Sequence, residues 1–93
     1  MKSRKTKELQ RAFAKKGFIE KRKKKHIYYY FIHHGIQTYI HTRISHGHKD
    51  VREGILFQMA KQLFLTQDEF ENLVDCPLDY EGLAKIYQEK DML

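Results

Sequence analysis

Ninety-three residues make one small domain with room for a single modest core. No apolar run approaches the ~18 residues needed to cross a bilayer, and the charged first residues offer no signal-peptide hydrophobic stretch, so no membrane association and a cytoplasmic location are expected. The net charge is +6, and the lone Cys76 excludes an internal disulfide and reads as a small buried or half-buried residue.

Ser3 or Thr6 can cap a first helix in which Leu9, Ala12, Phe13 and the stem of Lys16 share one face, with Gly17 as its C′ stop. Phe18 to about Arg22 reads as a short strand running into a basic stretch over residues 21–25. Ile27–His33 and Ile36–Ile44 are rich in β-branched and aromatic residues, and His34-Gly35 between them suits a tight hairpin turn. Asp50 caps a second helix, with Glu53 completing a capping box and Val51, Ile55, Leu56, Met59, Ala60 and Leu63 as its apolar face. Thr66 and Glu69 repeat that signature for a helix bearing Phe70, Leu73 and Val74. Pro77 breaks the chain, and Asp79 caps a last helix with Leu83, Ile86 and Tyr87. The expected fold class is α+β in the order αβββα: a three-stranded antiparallel sheet with helices on one face, followed by a C-terminal helical extension.

The charge is unevenly divided. Residues 1–49 carry 14 Lys/Arg against Glu8 and Glu20 alone, whereas residues 50–93 carry four basic and ten acidic side chains. All six His lie between positions 26 and 48. A basic half on a single domain points to a polyanion, of which nucleic acid is the commonest.

A two-residue turn at His34-Gly35 places His33 opposite Ile36 and fixes every further pair. One face then carries Phe31 with Thr38, Tyr29 with Ile40 and Ile27 with Thr42. The other carries Tyr30 with Tyr39, Tyr28 with His41 and His26 with Arg43. The first face suits the helices; the second suits solvent or a ligand.

That second face holds the parts for metal-free RNA cleavage. A neutral His26 can take the proton of a ribose 2′-hydroxyl, which then attacks the adjacent phosphate. Arg43, Lys23, Lys24 and Lys25 can stabilise the charge that builds on phosphorus. Tyr28, Tyr30 and Tyr39 can stack bases, and His41 and His46 can touch the backbone. His33, His34, His41, His46 and His48 are of metal-ligand type. No Cys or carboxylate joins them between 26 and 48, and adjacent strand residues point to opposite faces, so no metal and no cofactor are expected.

The sequence resembles the HicA toxin family, small ribosome-independent mRNA interferases with a double-stranded-RNA-binding-like fold. In that family an N-capping Ser opens a helix that ends at Gly followed by an apolar residue, as Ser3, the Leu9/Phe13 helix and Gly17-Phe18 do here. A Gly-Ser-X-His motif follows six residues after that Gly; Lys23-Lys24-Lys25-His26 falls at this offset, with His26 on the catalytic position. A later Pro-X-His and apolar helix start correspond to Ile44-Ser45-His46 and Val51-Arg52-Glu53-Gly54-Ile55-Leu56. Gly-Ser is replaced here by Lys23-Lys24, and the Pro by Ile44.

The resemblance covers about residues 3 to 74. It implies a HicA-like domain over residues 1–74, with residues 75–93 as a helical extension packed on the same domain. It further implies an endoribonuclease acting on mRNA with His26 as general base, the toxin of a type II toxin–antitoxin system, and a HicB-like antitoxin as protein partner. A non-catalytic RNA-binding module with the same basic, aromatic face is the other reading, and self-association into a homo-oligomer is left open.

Overall fold

Between Phe18 and Ser45 the residues alternate between the two sides of a three-stranded antiparallel sheet, as their period-2 pattern requires. The computed structural model describes residues 1–75 and 77–93, so the reading of Cys76 lies outside the described residues. In chain order the elements are β1 (Arg4–Lys5), α1 (Thr6–Lys15), β2 (Phe18–Arg22), β3 (His26–His33), β4 (Ile36–Ser45), β5 (Asp50–Val51), α2 (Glu53–Gln62), α3 (Gln67–Asp75) and α4 (Tyr80–Glu89). The main sheet has the order β2-β3-β4, with four helices against it, and the fold class is α+β.

One sheet face is core. Phe18, Ile27, Tyr29, Phe31, Ile40, Thr42 and Ile44 are buried on it. All but Thr42 form a single cluster with Leu9 and Phe13 of α1, Leu56 and Met59 of α2, Phe70 and Leu73 of α3, and Leu83 and Tyr87 of α4. The last helix is thus part of the core. Tyr87 is fully buried and its hydroxyl donates to the Leu63 carbonyl at 2.8 Å, which satisfies the one polar atom of an otherwise apolar ring. Lys16 is also buried, its stem in the core and its ammonium on the Leu78 carbonyl.

The β3–β4 turn is as expected. His34 and Gly35 both have positive φ, 51° and 74°, which a two-residue turn matching the strand twist requires. The pairing beyond it differs from expectation. His33 faces Ile36 and Ile32 faces Gln37, but Tyr30 then faces His41, Tyr28 faces Arg43 and His26 faces Ser45. Three β4 residues, Thr38 to Ile40, therefore stand where Phe31 alone stands on β3. The Thr38 hydroxyl donates to the Phe31 carbonyl at 2.7 Å and accepts the Ile40 amide at 3.2 Å, so it takes over ladder bonds at the bulge. The offset is two residues, an even number, and the division into core and open faces survives while every partner below the bulge changes.

Helix entry is also partly as expected. The Thr66/Glu69 box is reciprocal, with each backbone amide on the other's side chain at 2.8 and 3.1 Å, and Asp79 accepts the Gly82 amide at 2.8 Å. Burial opposes the Glu69 charge, but the Thr66 amide and Lys90 outweigh it and hold the carboxyl below its ordinary range. Neither Ser3 nor Asp50 is a cap. The α1 N-cap is Lys5 and the α2 N-cap is Arg52, neither with a side-chain capping bond. Asp50 belongs instead to a small two-stranded sheet in which Arg4 pairs with Val51 and Lys5 with Asp50. Thr6 extends that pairing, its amide on the Lys49 carbonyl at 2.8 Å and its hydroxyl on that of His48 at 2.7 Å. Ile55, expected on the buried face of α2, is 42% exposed: Leu56, Met59, Ala60 and Leu63 fill that face and leave Ile55 on its flank.

Candidate nucleic-acid interface

β3 sends His26, Tyr28 and Tyr30 to the sheet face that carries no helix, and the neighbouring strands add Lys21 and Ile19 on one side and Arg43 and His41 on the other. The rings form a ladder. His26 meets Tyr28 edge-on at 6.1 Å, Tyr28 stacks with Tyr30 at 6.2 Å and 18°, and Tyr30 stacks with His41 at 4.9 Å and 21°. Cations brace it: Lys23 Nζ lies 5.0 Å from the Tyr28 ring centre and Lys21 Nζ 5.5 Å from that of Tyr30. The β2–β3 turn, closed by the Lys23 amide on the His26 carbonyl at 2.9 Å, leaves Lys23, Lys24 and Lys25 exposed at the His26 end.

The bulge corrects the expected neighbours. Arg43 lies opposite Tyr28, one row away from His26, whose own partner is Ser45. His41 lies opposite Tyr30. Tyr39, expected across from Tyr30, sits in the bulge at the β4 edge and contacts Phe64 at 6.2 Å and 78°. His46 is a fastener: its Nε2–H donates to the Lys23 carbonyl at 2.7 Å and its amide to that of Lys25 at 3.4 Å, tying the loop after β4 to the lysine turn. His41 donates Nδ1–H to the Tyr39 carbonyl at 2.8 Å. A carbonyl only accepts, so this bond fixes the neutral tautomer and leaves His41 Nε2 as the basic nitrogen.

Two elements of this surface were missed. Lys21 falls in both the expected strand Phe18 to about Arg22 and the basic run, but was assigned to no face; its alternation with Ile19 puts it on the open one. Behind the lysine turn a cleft of about 790 Å³ lies between α1 and the loop over residues 45–49. Lys7, Arg11 and Lys15 line it from α1, Arg22 from β2, and His46 and Lys49 from the loop; Glu8 is the sole acidic residue on its walls. The i, i+4 spacing of 7, 11 and 15 is the signal that was available for this stripe. The position of the loop was not.

Not all the basic charge is available to a ligand. Arg4 binds both Asp75 and Glu8, which raises its own pKa and holds the Asp75 carboxyl below the ordinary range. Arg22 Nε donates to Glu20 at 2.8 Å, and the other Glu20 oxygen accepts the Tyr29 hydroxyl at 2.8 Å. Burial, helped by that carboxylate, pushes the Tyr29 phenol well above its usual pKa. Among the described residues, Lys21 and Arg43 on the open face, Lys23, Lys24 and Lys25 in the turn, and Lys7, Arg11, Lys15 and Lys49 along the cleft are exposed and make no salt bridge. Among the described residues no group of three His, Cys, Asp or Glu side chains is placed to hold a metal ion, and no helix is long and apolar enough to cross a membrane.

Comparison with known proteins gives no match: no family model fits the chain, and no curated protein and no solved structure matches it.

Proposed function

We propose that the chain binds single-stranded RNA across the open face of its sheet and cleaves it without a metal, as the toxin of a type II toxin–antitoxin pair. The observation that carries this reading is the continuous His26–Tyr28–Tyr30–His41 ladder with Lys21 and Lys23 over its tyrosines. Splayed bases stack on such rings, and the flanking cations take the phosphates. His26 stands at the end of the ladder beside the lysine turn, where the backbone of a stacked strand would run.

In the reaction His26 takes the 2′-hydroxyl proton, the 2′-oxygen bonds to phosphorus, and the bond from phosphorus to the 5′-oxygen breaks. The products are a 2′,3′-cyclic phosphate and a 5′-hydroxyl, the leaving oxygen receiving its proton from water. Lys23, Lys24 and Lys25 meet the charge that develops on the phosphate oxygens. A HicB-like antitoxin would act by covering Tyr28, Tyr30 and Arg43, with the protein working in the cytoplasm on mRNA.

Binding without cleavage is the second reading, and one observation favours it: Arg43 pairs with Tyr28 rather than with His26, so no guanidinium stands directly across from the proposed base. The purified chain incubated with single-stranded RNA and EDTA separates the two. Cleavage that His26→Ala abolishes, with an unchanged circular-dichroism spectrum, is the expected result. Salt-sensitive binding with no cleavage leaves the binding module, and cleavage by His26→Ala at the wild-type rate moves the base to His41.

A further inference from the structure

Two backbone irregularities deliver aromatic rings to the same spot, and neither ring serves the core. The first is the β4 bulge, which places Tyr39 at the sheet edge with 61% of its surface exposed. The second is the end of α2. The Phe64 amide donates to the Lys61 carbonyl and the Leu65 amide to that of Ala60, at 3.0 and 2.9 Å, which is the double bond pattern of a Schellman C-terminus. Its C′ residue is left-handed, and glycine is the usual occupant. Here it is Phe64, at φ 57° and 48% exposed. An aromatic residue that leaves about half its surface exposed and sits in an unfavourable backbone conformation calls for another reason to be there.

The two rings meet edge to face and, with His41, Arg43 and Gln62, line a pocket of about 210 Å³. The pocket is braced on both sides. The Tyr87 hydroxyl holds the Leu63 carbonyl and Lys90 Nζ holds that of Phe64 at 2.6 Å. The His41 Nδ1–H bond to the Tyr39 carbonyl joins two of the lining residues directly. The Gln62 Oε1 accepts the Thr42 hydroxyl at 2.7 Å, so its amide offers N–H donors to a ligand, and Arg43 offers more. No carboxylate lines the pocket.

We propose that this pocket takes one unstacked nucleobase of the bound strand and prefers a keto base, uracil or guanine, to an amino base. The inference rests on the RNA-binding reading. Phe64 and Tyr39 supply the aromatic contact; Arg43 and Gln62 donate to ring carbonyl oxygens. His41 Nε2, an acceptor on the lining, suits the ring N–H that a keto base carries beside its carbonyl. Cytosine and adenine present a ring lone pair there, and an exocyclic amino donor where Arg43 and Gln62 also donate. His41, stacked on Tyr30, joins the pocket to the ladder, so one strand can reach both.

Fluorescence anisotropy with labelled oligo-U and oligo-C at fixed salt tests this, because the two bases stack alike and differ at position 4 and the adjacent ring nitrogen. Wild type should bind oligo-U the more tightly. Phe64→Gly should weaken oligo-U binding at least about fivefold, the lower end of one lost stacking contact, and erase the preference, while melting no lower than wild type because glycine suits the C′ position. Phe64→Tyr should retain affinity. If wild type binds neither oligonucleotide, the RNA reading and the pocket both fall. If wild type binds and Phe64→Gly binds equally, or if no preference exists, the pocket alone falls. Loss of affinity together with a lowered melting temperature would make Phe64 structural and overturn the proposal. So would a wild-type dimer that Phe64→Gly dissociates with RNA binding intact, which would give the patch to a second copy of the chain.

Discussion

Gly17→Ala probes how firmly the last helix is built into the domain. Gly17 has φ 89°, and a Cβ added there would lie 2.3 Å from Cδ1 and 2.8 Å from Cε1 of Tyr80. Retreat of the Tyr80 ring would disturb its stacking on Phe31 at 5.4 Å and 24° and the contact of its hydroxyl with His33 Nδ1 at 3.4 Å. Two costs therefore add. The left-handed backbone costs a non-glycine residue about 1–2 kcal/mol, and forcing a methyl into a packed contact costs about 1–3 kcal/mol. The sum, about 2–5 kcal/mol, is a large share of the ~5–15 kcal/mol that stabilises a domain of this kind. Urea denaturation followed by circular dichroism should show a lowered midpoint at unchanged m. In a Tyr80→Ala background the same substitution should cost only the backbone part, which a double-mutant cycle reads directly. A Gly17→Ala protein within about 0.5 kcal/mol of wild type, well below the backbone cost alone, would refute the reasoning. An equal cost in both backgrounds would show that the Tyr80 ring is not what the methyl meets.

Replacing Lys23, Lys24 and Lys25 with Gln should flatten the salt dependence of RNA affinity. Each phosphate contact contributes a log–log slope of about −0.7 for single strands, so about two to three contacts should disappear; an unchanged slope would make the turn a solvated loop. Thr38→Val keeps shape but removes the hydroxyl that serves the Phe31 carbonyl and the Ile40 amide. It should destabilise by about 1–3 kcal/mol and speed hydrogen exchange at Ile40, and wild-type protection there would acquit Thr38 of holding the bulge. Asp75 and Glu69 are held below the ordinary carboxylate range, so they bind protons less readily when folded than when unfolded. Their contribution is complete above the unfolded carboxylate range of about pH 4 and is lost as pH falls below it. The urea midpoint should therefore drop between pH 5 and about pH 3, less so in Asp75→Asn, and equal drops in both proteins would count against the Arg4 pair.

What could be read from sequence was what is decided locally. The faces of β3 and β4 follow from alternation, the hairpin turn from His34-Gly35, and the Thr66/Glu69 and Asp79 caps from side chains that reach only three residues. The pairings failed because the bulge depends on Thr38 bonding across to Phe31, a contact between strands that no periodicity encodes. Asp50 was misplaced for a related reason. Two-residue strands have no pattern, and its partner Lys5 lies 45 positions away in the chain. For the site, residue type located the ladder but not its order, and Tyr39 was drawn into it by the assumption of an unbroken hairpin. Phe64 carried no signal at all, because a C′ position is recognised by the glycine that is missing there.

The contribution of α4 to the core also orders events in time. A ribosome delivers the basic, aromatic half of the chain first. Until Tyr80 and Tyr87 have emerged, the Phe31 ring lacks the two partners that flank it at 5.4 and 5.2 Å, and the Leu63 carbonyl lacks its anchor. The nascent chain thus carries its lysine turn and tyrosines on an unfinished support, in the most RNA-crowded surroundings it will meet. Completion of that support waits for α4, so the sheet beneath the surface proposed to grip RNA acquires these packing partners only once residues 80–89 can fold against it.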